Sequence, residues 1–251
     1  MNQYLNNSEK SALKYYTGDV LGNNTFWSEP KAYLVLNSLF YDGIYTEKAR
    51  ISEGKFLNPV ILGDVDRLLY FYDNIFSAFG KCRAENDTVT YRVERFSDYT
   101  FIRQSEKTVS FTSTSTAGFL KEYQDRNGIA LMKFGIPVGT SCISMSEVLD
   151  VYIKSEEAEI LLPPFMTLNI TEVPVIDSEK SITDADGNPP VVSCIAECGK
   201  CHISERKKNI SDDGAKAGQR IYTALNNGKN PSEEDIKLYC EWKNLFRELY
   251  L

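Results

Sequence analysis

The chain has 251 residues, 42% apolar and 25% charged, the composition of a globular protein long enough for one large domain or one domain plus a sizeable appendage. Its net charge of −7 offers no general basic field, which argues against nucleic acid as a partner. No apolar run reaches the roughly 18 residues a membrane span needs, and the opening MNQYLNNSEKSALKYY lacks the regions of a cleaved signal. The expected setting is the cytoplasm of the producing cell, with secretion or translocation as an effector without a cleaved signal also compatible.

Residues 8–80 read as helical. Ser11 to Tyr16 opens a short helix, and Lys31 to Phe40 a second, strongly apolar one. Gly63 to Phe79 carries Val65, Leu68, Leu69, Tyr72, Ile75, Phe76 and Phe79 at helical spacing, with Gly80 as the expected stop. From residue 86 to 176 the texture is that of strands: Thr88–Phe96, Lys107–Thr112, Ile129–Ile136, Ala158–Leu162 and Met166–Val175. A short helix is expected over Ala117–Asp125. Helices first and strands later, without βαβ alternation, argue for an α+β fold. The turn signal at Asp186–Pro190 closes a polar stretch, and the expected boundary lies after residue 176. Residues 177–251 then read as a linker, a cysteine cluster and a helical extension. The last helix is expected to start with Asn230 as cap and Pro231 first, and its apolar stripe includes Ile236, Tyr239, Trp242, Leu245, Phe246 and Leu249.

Three short motifs carry chemistry: Tyr91-Arg92 in a strand, FTSTS at 111–115, and EEAEILLPPF at 156–165. Residues two apart in a strand project the same way, about 6.6–7 Å apart, so Glu157 and Glu159 are expected side by side. Paired carboxylates suit a glycosyl-type displacement, in which a fixed charge stabilises an oxocarbenium-like state. Read alone, such an acidic run is a solvated strand start.

In this order and on these elements, the motifs resemble the arginine-specific mono-ADP-ribosyltransferases, the family of clostridial binary-toxin enzymatic components and vertebrate ecto-enzymes. The resemblance extends over roughly residues 10–176, with YYTGD at 15–19 and the pair Tyr33 and Asn37 similar to the family's leading helices. It implies an ADP-ribosyltransferase-like fold of two packed, mainly antiparallel β-sheets with N-terminal helices. It also implies NAD as substrate and a protein arginine as acceptor, with nicotinamide released. By resemblance, Glu159 stabilises the ribosyl cation and Glu157 holds and deprotonates the guanidinium, which is otherwise protonated at neutral pH. Arg92 would grip the NAD pyrophosphate, and the backbone of Val93, where the family commonly has Gly, would meet the nicotinamide amide. Ser113 would orient Glu159, while Thr114 and Ser115 shape the cleft floor. Tyr123 is the candidate for stacking on nicotinamide, with Phe119 as rival; Tyr33 and Asn37 join the NAD contacts; Tyr152 would engage the protein acceptor. Branches of the superfamily that use His in place of Arg are excluded, because the one histidine, His202, follows the Glu pair. An NAD glycohydrolase, or an inactive module of the same fold that only binds a partner, are the alternatives.

Cys194, Cys198, Cys201 and His202 fall within nine residues, with Cys240 further on. The spacing is irregular and no matching second pair follows. Reduced, partly buried thiols are the first reading, a structural zinc site the alternative, and no metal is assigned.

Overall fold

The computed structural model describes residues 5–17, 32–40, 44–54, 56, 65–95, 108, 110–116, 129–149, 158–172, 191–197 and 210–250. In chain order its elements are α1 (Asn7–Thr17), α2 (Ala32–Ser38), α3 (Ile44–Ser52), α4 (Val65–Lys81), β1 (Thr88–Arg95), β2 (Thr112–Ser115), β3 (Ile129–Ile136), β4 (Ile143–Ser144), α5 (Met145–Val148), β5 (Glu159–Leu162), β6 (Leu168–Glu172), β7 (Val191–Ala196), α6 (Asp213–Asn226) and α7 (Glu233–Glu248). The chain divides into two compact units: Asn6–Ser77 with His202–Leu251, and Met1–Leu5 with Ala78–Cys201. Among the described residues no helix is long and apolar enough to cross a membrane.

The first unit is helical. A capping box starts α1: the Asn6 amide donates to the Glu9 carboxylate at 2.8 Å, and the Glu9 amide to Asn6 Oδ1 at 2.9 Å. Helix α7 is capped by Ser232, whose hydroxyl accepts from the Asp235 amide at 3.1 Å. The expected cap, Asn230, stands two residues earlier; Pro231 and Ser232 both precede the first turn, and the residue whose oxygen meets the N3 amide takes the role. Aromatic rings fill the interior. Tyr72 meets Phe246 edge-on at 5.0 Å, Phe76 stacks on Tyr250 at 4.7 Å, and Tyr250 donates to Asp73 at 2.8 Å. Leu245 is 53% exposed and leaves the expected stripe; Cys240 and Lys243 are buried beside it instead. Helices α6 and α7 touch at Gly214, where a Cβ would lie 2.0 Å from the Trp242 Cβ. Only glycine fits that approach.

Lys243 on α7 forms a buried ion pair with Glu47 on α3, with side chains 2% and 4% exposed. Burial pushes the Lys243 ammonium below its usual range, and the Glu47 charge opposes that shift. Removing one partner leaves an uncompensated buried charge. Lys243→Met alone is expected to destabilise by about 3–5 kcal/mol, and Glu47→Leu added to it to restore most of the loss. Urea unfolding midpoints would read both, and equal stability of the single variant and the wild type would contradict this role.

The second unit holds a seven-stranded sheet in the order β4-β5-β2-β1-β3-β7-β6. All neighbours are antiparallel except β3 and β7. The α+β class and the mainly antiparallel pairing are as expected. The strands form one hydrogen-bonded series, in which blocks of three and four strands are joined, among the described residues, by the pair Tyr91↔Ser115. Within residues 177–251, β7 lies between β3 and β6, and α6 and α7 belong to the same unit as α1–α3. The run VVSCIA buries Val192, Cys194 and Ala196 on alternate positions, the period-two pattern of a strand. These side chains join Met132, Phe134, Ile136, Leu162 and Leu168 in the core.

Helix α4 continues through Gly80 to Lys81. Its last carbonyls have partners that make a glycine stop unnecessary. The Arg83 guanidinium donates to Phe79 O, to Cys82 O at 2.8 Å and to Ser141 Oγ at 2.8 Å, and Ser141 donates to Phe79 O at 2.7 Å.

Candidate active site

Strand β2 sits between β5 and β1, so it brings the second and third motifs together and carries them to the first. Its register with β5 sets Ser115 opposite Glu159 and Ser113 opposite Leu161. The Thr116 amide donates to Ala158 O at 3.3 Å. That bond, one residue outside the pair on each strand, makes Ser115–Glu159 a non-hydrogen-bonded pair. In such pairs the Cα atoms stand about 4.5 Å apart and the side chains are closest. Glu159 is 8% exposed, as is Ser115, so the carboxylate is held in a largely dehydrated place beside a hydroxyl. Ser113 lies on the same face, two residues along. The hydroxyl directly across from Glu159 is therefore that of Ser115.

The same alternation fixes what faces β1. Peptide groups of Ser113 and Ser115 point away from β5, toward β1, and Ser115 pairs with Tyr91. A continued ladder would pair Ser113 with Val93. Among the described residues the pairing stops at Tyr91↔Ser115, and the Arg92 guanidinium donates to Ser113 O at 2.9 Å. An arginine side chain thus takes the place of a backbone amide where the two strands part. Val93 pairs with Leu131 of β3 in register, and its own N–H and C=O are directed to the β2 side, into this opening. Three motifs that are separate in sequence meet here.

Thr114 is buried, and its hydroxyl donates to Ile160 O at 2.8 Å. Ala158 has φ of 43°, in the left-handed region that side-chain-bearing residues rarely adopt. Regular strand geometry therefore begins at Glu159. Glu157, Tyr123 and Tyr152 lie outside the described residues. A cleft lined by Cys82, Arg83, Glu85, Cys142 and Glu147 meets Ile160, whose side chain alternates away from that of Glu159.

No protein-family model matches the chain, and no curated protein sequence matches it. In structure it is similar to an ADP-ribosyltransferase from Clostridium botulinum, at 13% identity and a TM-score of 0.48, over 76% of this chain and 87% of that one. It is similar also to the Clostridium limosum C3 exoenzyme, at 13% identity and a TM-score of 0.48, over 77% and 86% of the two chains. A third similar structure is the ADP-ribosyltransferase Vis from Vibrio splendidus in complex with agmatine, at 15% identity and a TM-score of 0.45, over 77% and 76%.

Tyr33 and Asn37 are half-buried on α2 of the helical unit, where Asn37 Nδ2 donates to the Tyr16 hydroxyl at 3.3 Å. Cys194 points into the apolar core of the sheet unit, and its thiol donates to Lys133 O at 3.5 Å. Burial pushes that thiol up to about 12. Cys198, Cys201 and His202 lie outside the described residues. Cys240, on α7, is a buried thiol pushed up to about 11, by burial first and then by the Glu47 charge. Thr116, to which no motif pointed, donates to Ala158 O; the only cue in the sequence is its place at the end of the alternating FTSTST run.

Proposed function

We propose that this chain is a mono-ADP-ribosyltransferase that moves ADP-ribose from NAD to arginine side chains of a protein, releasing nicotinamide. The observation that carries the reading is the parting of β1 and β2 at Arg92 and Ser113, with the Ser115–Glu159 pair at its edge. The backbone donor and acceptor at Val93 suit the nicotinamide carboxamide, which has a carbonyl acceptor and an amino donor group. The Arg92 fork suits a pyrophosphate. Glu159, in a place of low water content, opposes the positive charge that develops on ribose as the glycosidic bond breaks. Ser115, with Ser113 beside it, orients that carboxylate. Thr114 ties the strand behind it.

Arginine is assigned as acceptor because position 157 is Glu. A guanidinium must lose a proton to attack carbon, and a carboxylate base near the ribose supplies that step. Tyr123 is assigned to the nicotinamide ring and Tyr152 to the protein acceptor, both on the family resemblance. Purified protein incubated with NAD and agmatine, a small guanidine, tests this directly. Nicotinamide release with an ADP-ribosyl-agmatine adduct is expected by mass spectrometry. Release without an adduct would make the protein an NAD glycohydrolase. No release at saturating NAD would leave only a binding module.

A further inference from the structure

Carbonyls on both sides of Glu159 are held by threonines of one segment. Thr114 donates its hydroxyl to Ile160 O at 2.8 Å. Thr116 donates twice to Ala158 O, from its amide at 3.3 Å and its hydroxyl at 3.4 Å. The Ala158 carbonyl belongs to the peptide plane that leads into Glu159, so its orientation sets where the Glu159 Cα–Cβ bond points. Ala158 itself is in the left-handed region, with φ of 43°. A non-glycine residue stays there only when its surroundings hold it, and such residues gather at functional sites. No glycine eases this turn, and Thr116 supplies the hold.

We propose that Thr116 is a positioning residue for the reaction assigned above: its double grip on the Ala158 carbonyl fixes the turn that aims Glu159 at the ribose. The proposal rests on the transferase reading of the site. The Thr116 side chain is exposed, so its replacement leaves no buried cavity, and a loss of rate would come from aim rather than from unfolding.

The experiment compares nicotinamide release by the wild type, Thr116→Val, Thr116→Ser and Glu159→Gln over a range of NAD concentrations. Valine keeps the branched shape and lacks the hydroxyl; serine keeps the hydroxyl. Thr116→Val is expected to lower kcat about fivefold, the worth of one ordinary hydrogen bond, with the KM for NAD and the melting temperature nearly unchanged. Thr116→Ser is expected to return kcat to within about twofold of wild type. A loss in Glu159→Gln with unchanged kcat in Thr116→Val, or a serine variant as slow as the valine one, would overturn the positioning role and leave the function standing. Absent turnover in the wild type, or full turnover in Glu159→Gln, would overturn both.

Discussion

Glu159→Gln is expected to cut nicotinamide release from NAD by about 100-fold or more, and transfer to arginine with it. Glutamine keeps the shape and the strand, so the Ser115 pair and the β2–β5 register survive. What goes is the negative charge proposed to face the ribosyl cation, in a place only 8% exposed where water screens little. Glu157→Gln is expected to behave differently. Its carboxylate is assigned to the incoming guanidinium alone, so ADP-ribosyl-agmatine should vanish while slow hydrolysis of NAD by water persists. NAD affinity, read by calorimetry, should change little in either variant, because the pyrophosphate is assigned to Arg92. Equal loss of hydrolysis and transfer in both would remove Glu157 from the acceptor side. Undiminished hydrolysis in Glu159→Gln would sink the site itself.

A chain ended at residue 178 is expected not to fold, although every residue assigned to catalysis precedes that point. In the sheet unit the cut removes β7, the partner of both β3 and β6. It takes Val192, Cys194 and Ala196 from the core and uncovers Met132 and Phe134. In the helical unit it removes Tyr239, Trp242, Phe246 and Tyr250, all buried, and leaves Glu47 without Lys243. Each large apolar side chain is worth about 1.5–3 kcal/mol when buried. Four aromatics, the β7 residues and one orphaned charge together exceed the 5–15 kcal/mol or so that stabilise a domain. Soluble yield and far-ultraviolet circular dichroism of the fragment test this. A soluble fragment with cooperative unfolding and NAD turnover would show that residues 177–251 are dispensable for folding and chemistry.

Local pattern decided several elements in advance. Strand β3 runs over Ile129–Ile136 as its composition predicts, and β1 covers Thr88–Arg95, the described part of its expected span. Helix α4 follows from its apolar spacing, because a face that repeats every three to four residues has one way to be buried. Arg92, Ser113 and Glu159 could be named from motif order, and they fall on three adjacent strands. Other features depend on partners far along the chain. Gly80 reads as a helix stop until Arg83 and Ser141 are seen to donate to the α4 carbonyl of Phe79. Nothing within FTSTS says which hydroxyl faces Glu159; that rests on a register between segments more than 40 residues apart in sequence, and a slip of one residue would turn every side chain over. The parting of β1 from β2, the place of β7 between β3 and β6, and the joining of Asn6–Ser77 with His202–Leu251 in the helical unit are pairings of the same kind. Side-chain periodicity is a property of one segment, whereas pairing is a free-energy choice among all segments at once, so only the folded chain makes it.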